Sequence, residues 1–369
     1  MAYQNVGTPR FYVDLVSYLQ SMKVDINITN DDLIDVGEDY RGLLGLDPVN
    51  QVELTNSIII NWDEDNPKKE NDFANLINPK QTYVAYLNHN VDENEPMGYL
   101  NNPTNYSETI SNPVSVLNFD LFSGSQEFLN IDVVKRGSTI LTGNTESWIS
   151  DEDVENPSFN MVRFEVSPNL VYPFSPPNLG SLSFGSYFDM PVSVDLNLSL
   201  DIEFDGYDSA TTLGGSTLTN VRYSGSPYWY DNNANKRVPF AIGDSSGFAK
   251  RNGRRTWSMD FSYISDKDLF ASNYMDTHYT ETTDDYNSED LGTINSETNQ
   301  LYYNINTDDS FIAQVLNRVG NGERFIFQPD NTNNNPDQFA ICVLDQNSLK
   351  IDQVAYKVYN ISLKIMEVW

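Results

Sequence analysis

The sequence predicts an all-β fold, built as β-sandwich modules with one or two short flanking helices. Three observations carry that expectation. Apolar and polar residues alternate with a period of two in several stretches, the mark of strands with one buried face. Aromatic residues make up 12% of the chain, a share that suits pleated, half-buried surfaces. Gly, Pro, Asn, Asp and Thr punctuate the whole length, as turns between many strands do.

The last sixty residues contain the best-defined elements. Trp257, Met259, Phe261 and Tyr263 alternate with Ser258, Asp260 and Ser262 just before them, which predicts a half-buried strand. Ile312, Val315, Leu316 and Val319 follow the helical spacing of one apolar face, so a helix is expected over 310–319. Asp308, Asp309 and Ser310 supply capping oxygens, Arg318 suits the last turn, and Gly320 suits the stop. Phe325 to Phe327 and Phe339 to Leu344 are short apolar runs that fit strands buried on both faces. The register Val354, Tyr356, Val358 changes phase to Tyr359, Ile361, Leu363, Ile365, which predicts a bulge or bend. Trp369 ends the chain on a large aromatic, so that terminus is expected to pack into a sheet or a neighbour.

Earlier in the chain, residues 9–22 read as a short helix opened by Pro9, with Phe11, Leu15, Val16, Leu19 and Met22 on or near one face. Candidate strands follow at Ser57 to Trp62, Thr82 to Leu87, Val114 to Phe119, Asn130 to Val134 and Met161 to Val166. The proline-rich stretch 167–181 is the expected boundary between an N-terminal β-rich domain (1–175) and a C-terminal β-sandwich assembly domain (176–369). Beyond it, Val192, Val194, Leu196, Leu198, Leu200, Ile202 and Phe204 alternate with polar residues, predicting a strand with one face buried and one wet. The acidic, Asn-rich tracts near 63–72 and 276–299 read as long loops.

Charge and chemistry exclude more than they select. A formal net charge of -31 argues against a nucleic-acid-binding surface, because such binding draws affinity from Lys and Arg. No secretory leader and no apolar run of about 20 residues is visible, so a protein made in the cytoplasm with no membrane insertion is expected. His89 and His278 lack metal-ligand spacing, Cys342 lies in an apolar run, and no serine elbow or phosphate loop occurs. The glycine pair in TTLGGST, 211–217, reads as a turn or bulge. Catalytic, cofactor and metal residues are therefore assigned to none. Paired carboxylates keep a glycosidase open, and Tyr228, Trp229 and Tyr230 form a candidate glycan platform whose alternative is an aromatic turn. The basic cluster Lys250, Arg251, Arg254 and Arg255 has two readings: contact with an acidic surface of a neighbouring copy, or neutralisation of Asp loops in the same subunit.

GRRTWSMDFSYISDKDLF, SFIAQVLNRVGNGERFIFQPD, NNNPDQFAICVLDQNSLKIDQVAYKVYNISLKIMEVW and the opening NVGTPRFYVDLVSYLQS together resemble virion structural proteins of tailed phages, particularly marine ones. The order of strand, lone helix, FIFQPD strand and final strand is similar to minor-tail and distal-tail proteins that form rings at the tail tip or baseplate. The likeness covers roughly the last 170 residues and, more weakly, the opening segment. It implies a non-enzymatic β-sandwich subunit of the virion whose partners are its own copies and other phage structural proteins. Arg254, Arg255, Trp257, Tyr359 and Trp369 are the candidate interface residues. A capsid decoration or head–tail adaptor protein is the alternative within that class, and a carbohydrate-binding receptor module the alternative outside it.

Overall fold

Strands account for 49% of the chain and helices for 17%, so the all-β class holds. The computed structural model describes residues 7–23, 26–29, 40–47, 52–53, 58–62, 81–89, 117–123, 126–127, 137–143, 161–166, 178–203, 207–221, 253–270, 294–295, 300–301, 310–333 and 338–368. The expected strand at 130–134 lies outside them. Every strand pairing among the described residues is antiparallel.

The principal sheet has ten strands. Nine run side by side in the order Ser199–Glu203, Arg254–Ser265, Val358–Glu367, Ala340–Leu344, Phe325–Gln328, Arg10–Asp14, Ser181–Asp189, Thr82–His89 and Gly137–Gly143, while Ile351–Ala355 joins the terminal strand Val358–Glu367 beside its N-terminal half. Three of these strands come from the first 175 residues, so the sheet crosses the expected domain boundary instead of stopping there. A five-stranded sheet, Ile26–Thr29, Ile58–Trp62, Met161–Val166, Leu117–Ser123 and Gln126–Glu127, belongs wholly to the first half.

Residues 9–22 are not one helix. Arg10–Asp14 is the strand between Phe325–Gln328 and Ser181–Asp189, and only Leu15–Ser21 is helical. Two forces explain the division. Phe11 and Tyr12 point to opposite faces and are both enclosed, which only a period of two permits. Asp14 then caps the helix, its Oδ2 accepting from Ser17 N at 2.8 Å and Ser17 Oγ at 2.6 Å. Its other oxygen accepts from Ser183 Oγ at 2.9 Å, and Ser183 also bonds the Tyr83 hydroxyl at 2.7 Å. Burial pushes the Asp14 carboxyl above the usual range, while the hydrogen bonds from Ser17, Ser183 and Phe184 pull the other way. Gly185 lies opposite Asp14, and a Cβ there would stand 2.2 Å from the Val13 carbonyl oxygen, so the position requires glycine.

The two faces of the sheet carry separate cores. On one face Phe11, Phe188, Phe325, Phe327, Trp257, Ile361 and Ile365 pack with Phe311, Ile312, Val315 and Val319 of the covering helix. On the other, Tyr12, Tyr83, Ala85, Leu87, Ile326, Phe339 and Ile341 pack with Leu46. The 325–328 and 340–344 strands alternate between these cores, in agreement with their continuous apolar runs. Around Phe11, ring centroids of Phe311, Phe325 and Phe327 lie 5.5, 5.7 and 5.3 Å away.

The covering helix begins on Ser310, whose Oγ accepts from Ala313 N, and ends at Gly320 with φ +55°. Its Ile312–Leu316 part is wound as a π-helix before Asn317–Val319 returns to α. The wider turn buries Gln314 and Arg318 and leaves Leu316 only partly covered, unlike the expected α-face.

The strand Arg254–Ser265 buries Trp257, Met259 and Phe261, as its alternation predicts. Tyr263 departs from it. With φ +64° beside a register shift, it turns out to solvent and Ile264 fills the core position. The phase change near 356 is more than a bend: Ile351–Ala355 and Val358–Glu367 form a hairpin, and Tyr356 and Lys357, the latter at φ +56°, make its turn.

Because Phe11 touches three rings and both neighbouring strands enclose it, Phe11→Ala should lower unfolding stability by about 3–5 kcal/mol. Urea titration followed by tryptophan fluorescence measures the loss; a change below about 1 kcal/mol contradicts the central place given to this side chain.

Candidate assembly surface

The basic cluster resolves into two environments. Arg255 is 8% exposed and its partner Glu367 is 1% exposed. The guanidinium reaches both carboxylate oxygens, Nε to Oε2 and Nη2 to Oε1 at 3.1 Å each, and Nη2 also donates to the Phe339 carbonyl at 2.9 Å. The Arg255 backbone N–H donates to the same carboxylate at 3.0 Å. Of the two readings of the cluster, the pairing within the subunit is the one Arg255 adopts, although with a terminal-strand glutamate and not an acidic loop. Arg254 is half-buried; Lys250 and Arg251 lie outside the described residues.

Trp257 and Tyr359 are also enclosed by this chain. Trp257 stacks near Phe327 at 5.3 Å and under the Arg255 guanidinium at 4.9 Å, and Tyr359 meets Phe270 at 5.1 Å. Their faces are occupied by core neighbours, which corrects the expectation that Arg255, Trp257 and Tyr359 meet another copy. Trp369 and the candidate platform Tyr228, Trp229 and Tyr230 lie outside the described residues, as does His278. Cys342 is fully buried, and burial pushes its thiol well up, as an unreactive core residue. Among the described residues no group of three His, Cys, Asp or Glu side chains is placed to hold a metal ion, and no helix is long and apolar enough to cross a membrane.

Arg318 has an unusual setting. Burial lowers its guanidinium to about 10, against the attraction of Tyr18, and its Nε and Nη2 have no hydrogen-bond partner. The Tyr18 ring lies 5.9 Å away. Both nitrogens are closed off from solvent, so the group is a cost to the subunit and not an open site.

The surface that stands out is apolar. The stretch 192–204 does not form the half-buried strand its alternation predicts: Val194 is buried, but Leu196, Leu198, Leu200 and Ile202 are all exposed, Leu196 by 84%. Among the described residues of this stretch only Ser199–Glu203 is a strand, and its one described pairing is with Arg254–Ser258. The anchor is close: a Cβ on Gly253 would meet the Glu203 carbonyl oxygen at 2.2 Å. A hairpin follows, Tyr207–Thr211 against Thr217–Val221, in which residues 208–220 are exposed without exception. Its turn contains the TTLGGST glycines, with Gly215 at φ +82° and Thr212 N donating to the Ser216 carbonyl at 2.8 Å. Leu213 at the tip is 112% exposed and Leu218 is exposed beside it. A two-stranded hairpin without a buried face is marginal in water, so this arm lacks the packing that holds the rest of the chain together.

Sequence reasoning placed burial where alternation was strongest, and period alone does not say whether another layer covers the apolar side. A usable signal lay in Arg255 and Glu367. The Trp257–Phe261 and Ile361–Ile365 alternations, extended by one step, put both charges on the buried stripe just beyond the Thr256–Met366 pair.

Removing one partner of the buried ion pair leaves the other uncompensated. Arg255→Met or Glu367→Leu alone should cost about 3–5 kcal/mol, and the double variant should recover most of that loss. Denaturant midpoints of the four proteins measure the coupling; additive losses contradict the pairing. Arg318→Met should instead leave stability unchanged or raise it by up to about 2 kcal/mol in the same assay, and a loss above about 2 kcal/mol overturns the unpaired-charge reading. No protein-family model, curated protein or solved structure matches this chain.

Proposed function

We propose that this chain is a non-enzymatic structural subunit that assembles with copies of itself into a closed ring, in the tail tip or baseplate of a tailed-phage particle. The observation that carries the reading is the arm spanning 196–221, where six aliphatic side chains, Leu196, Leu198, Leu200, Ile202, Leu213 and Leu218, lie exposed on a sheet edge and a hairpin with no buried face. Exposed strand edges lined by aliphatics pair with other chains unless covered, so a subunit that keeps such an edge has a use for it. The resemblance of the segments beginning GRRTW and ending EVW supports the virion setting. The charge of -31 is compatible with a channel that passes nucleic acid without holding it. The enclosed state of Cys342 and the structural use of Asp14, Arg255 and Glu367 give no support to a catalytic reading.

Replacing residues 196–221 by a short Gly-Ser turn should leave a folded protein with a little-changed circular-dichroism melting profile and abolish higher assemblies. Light scattering across a concentration series, with negative-stain imaging of the largest species, checks it. A wild-type protein that stays monomeric at all soluble concentrations, or rings that persist without the arm, contradicts the reading.

A further inference from the structure

Among the described residues, the end of the principal sheet beside the long 254–265 strand has two open edges, at opposite sides of the pair formed by Arg254–Ser265 and Val358–Glu367. One is Ser199–Glu203, bonded only to 254–258. The other is Ile351–Ala355, bonded only to the terminal strand across the hairpin. No described residue donates to or accepts from the outer side of either. Both are five residues long. The first is exposed along its whole length and the second from Asp352 onward.

Their charges differ. Residues 191–221 contain five acidic side chains, Asp195, Asp201, Glu203, Asp205 and Asp208, and no Lys or Arg. The other edge and its turn, 349–357, carry Lys350 and Lys357, of which Lys350 pairs with Asp352 at 2.7 Å and Lys357 lies 4.0 Å from Asp266 of the same subunit, so this edge is close to neutral in a chain of charge -31. Apolar side chains are available on both: Leu198, Leu200 and Ile202 on the first, Val354 and Tyr356 on the second, all exposed. An edge meeting its own duplicate would set Asp201 and Glu203 against the same acids, which costs energy and disfavours a two-fold contact.

Building on the ring reading, we propose that Ser199–Glu203 of one copy adds as a strand to Ile351–Ala355 of the next. The two patches are different surfaces of one chain, so the contact is head-to-tail. Each subunit then offers one donor and one acceptor edge, and repetition closes a ring if the rotation permits. Main-chain hydrogen bonds would supply the adhesion, while the repulsion between an acidic edge and its own duplicate, absent against the near-neutral edge, would select the order of the edges.

Cross-linking tests this in the full chain, whose one native cysteine is buried. Asp201 and Gln353 are the central residues of the two strands, so in a centred register they face each other whichever way the strands run. The double variant Asp201→Cys, Gln353→Cys should give a ladder of covalent trimers and larger species on mild oxidation, and each single variant should stay a monomer on a denaturing gel. Lys350→Glu with Val354→Glu should weaken assembly at least about tenfold at low salt, and less at high salt. Wild-type assemblies that form normally while the double cysteine variant gives no ladder, or while the Glu variant assembles as well as wild type, overturn the edge pairing and leave the ring reading standing. A covalent dimer from Asp201→Cys alone overturns it in favour of a two-fold contact. Absence of any wild-type assembly defeats both.

Discussion

The strand Arg10–Asp14 is the constraint on which the principal sheet depends. It joins two groups of strands that are far apart in the sequence: Phe325–Gln328 on one side and Ser181–Asp189 on the other. Four of its five residues have separate tasks. Arg10 holds Asp189 through two short ionic hydrogen bonds of 2.6 and 2.8 Å and lies over the Tyr187 ring. Phe11 fills one core and Tyr12 the other, where its hydroxyl donates to Gln328 at 2.8 Å. Burial raises that hydroxyl to about 12, so it is a neutral donor at any physiological pH. Asp14 ends the strand and starts the helix in one residue. Losing this segment would separate the sheet into two pieces, each with an unpaired inner edge.

A second dependency lies where the long strand meets the terminal strand. Their twofold apolar stripe ends at Arg255 and Glu367, and the enclosed pair closes it with four hydrogen bonds and no unmet carboxylate oxygen. Buried pairs of this kind add little net stability over an apolar substitute, since desolvation offsets most of the attraction. Their value is in register. A slip of one residue along the strand would put either charge on the opposite face without its partner, and that penalty fixes the alignment of residues 254–261 against 361–367.

What could be read in the sequence follows from where information is local. The alternation through Trp257, Met259 and Phe261 and the runs at 325–327 and 339–344 depend on neighbours one or two positions apart, and those elements appear as expected. The helix at 310–319 does too, with its Ser310 start and Gly320 stop. Residues 9–22 misled because Phe11, Leu15 and Leu19 satisfy a helical spacing while Phe11 and Tyr12 also satisfy a strand spacing, and the choice between them was made by strands about 170 and 315 residues away. The boundary near 175 misled for the same reason, since a proline-rich connection says nothing about which sheet its flanks enter. Tyr263 and the Tyr356–Lys357 turn each depend on a positive φ at a residue other than glycine, which leaves no compositional trace. The interface residues were chosen as conspicuous aromatic and basic side chains, and three of them, Arg255, Trp257 and Tyr359, are ones this chain encloses in its own core.

The surface that remains available for contact is accordingly made of residues that looked ordinary. Leucines and isoleucine in a perfect alternation normally announce a buried face, and here no described residue covers them. The energetic consequence is asymmetric. The 10–14, 181–189 and 325–328 strands gain stability from two cores, whereas the 196–221 arm gains almost none from burial and is held by one strand pairing and a well-formed turn. A segment of that kind folds with the subunit but adds little to its stability, which frees its apolar area to contribute to association instead. The concentration of acid on the same arm would restrict that association, because four carboxylates within 196–221, with no Lys or Arg among those residues, would repel a copy of the same edge. In the proposed assembly, adhesion and selectivity would thus come from the same arm: the backbone and leucines would favour pairing with any strand, and the carboxylates would disfavour pairing with another acidic edge.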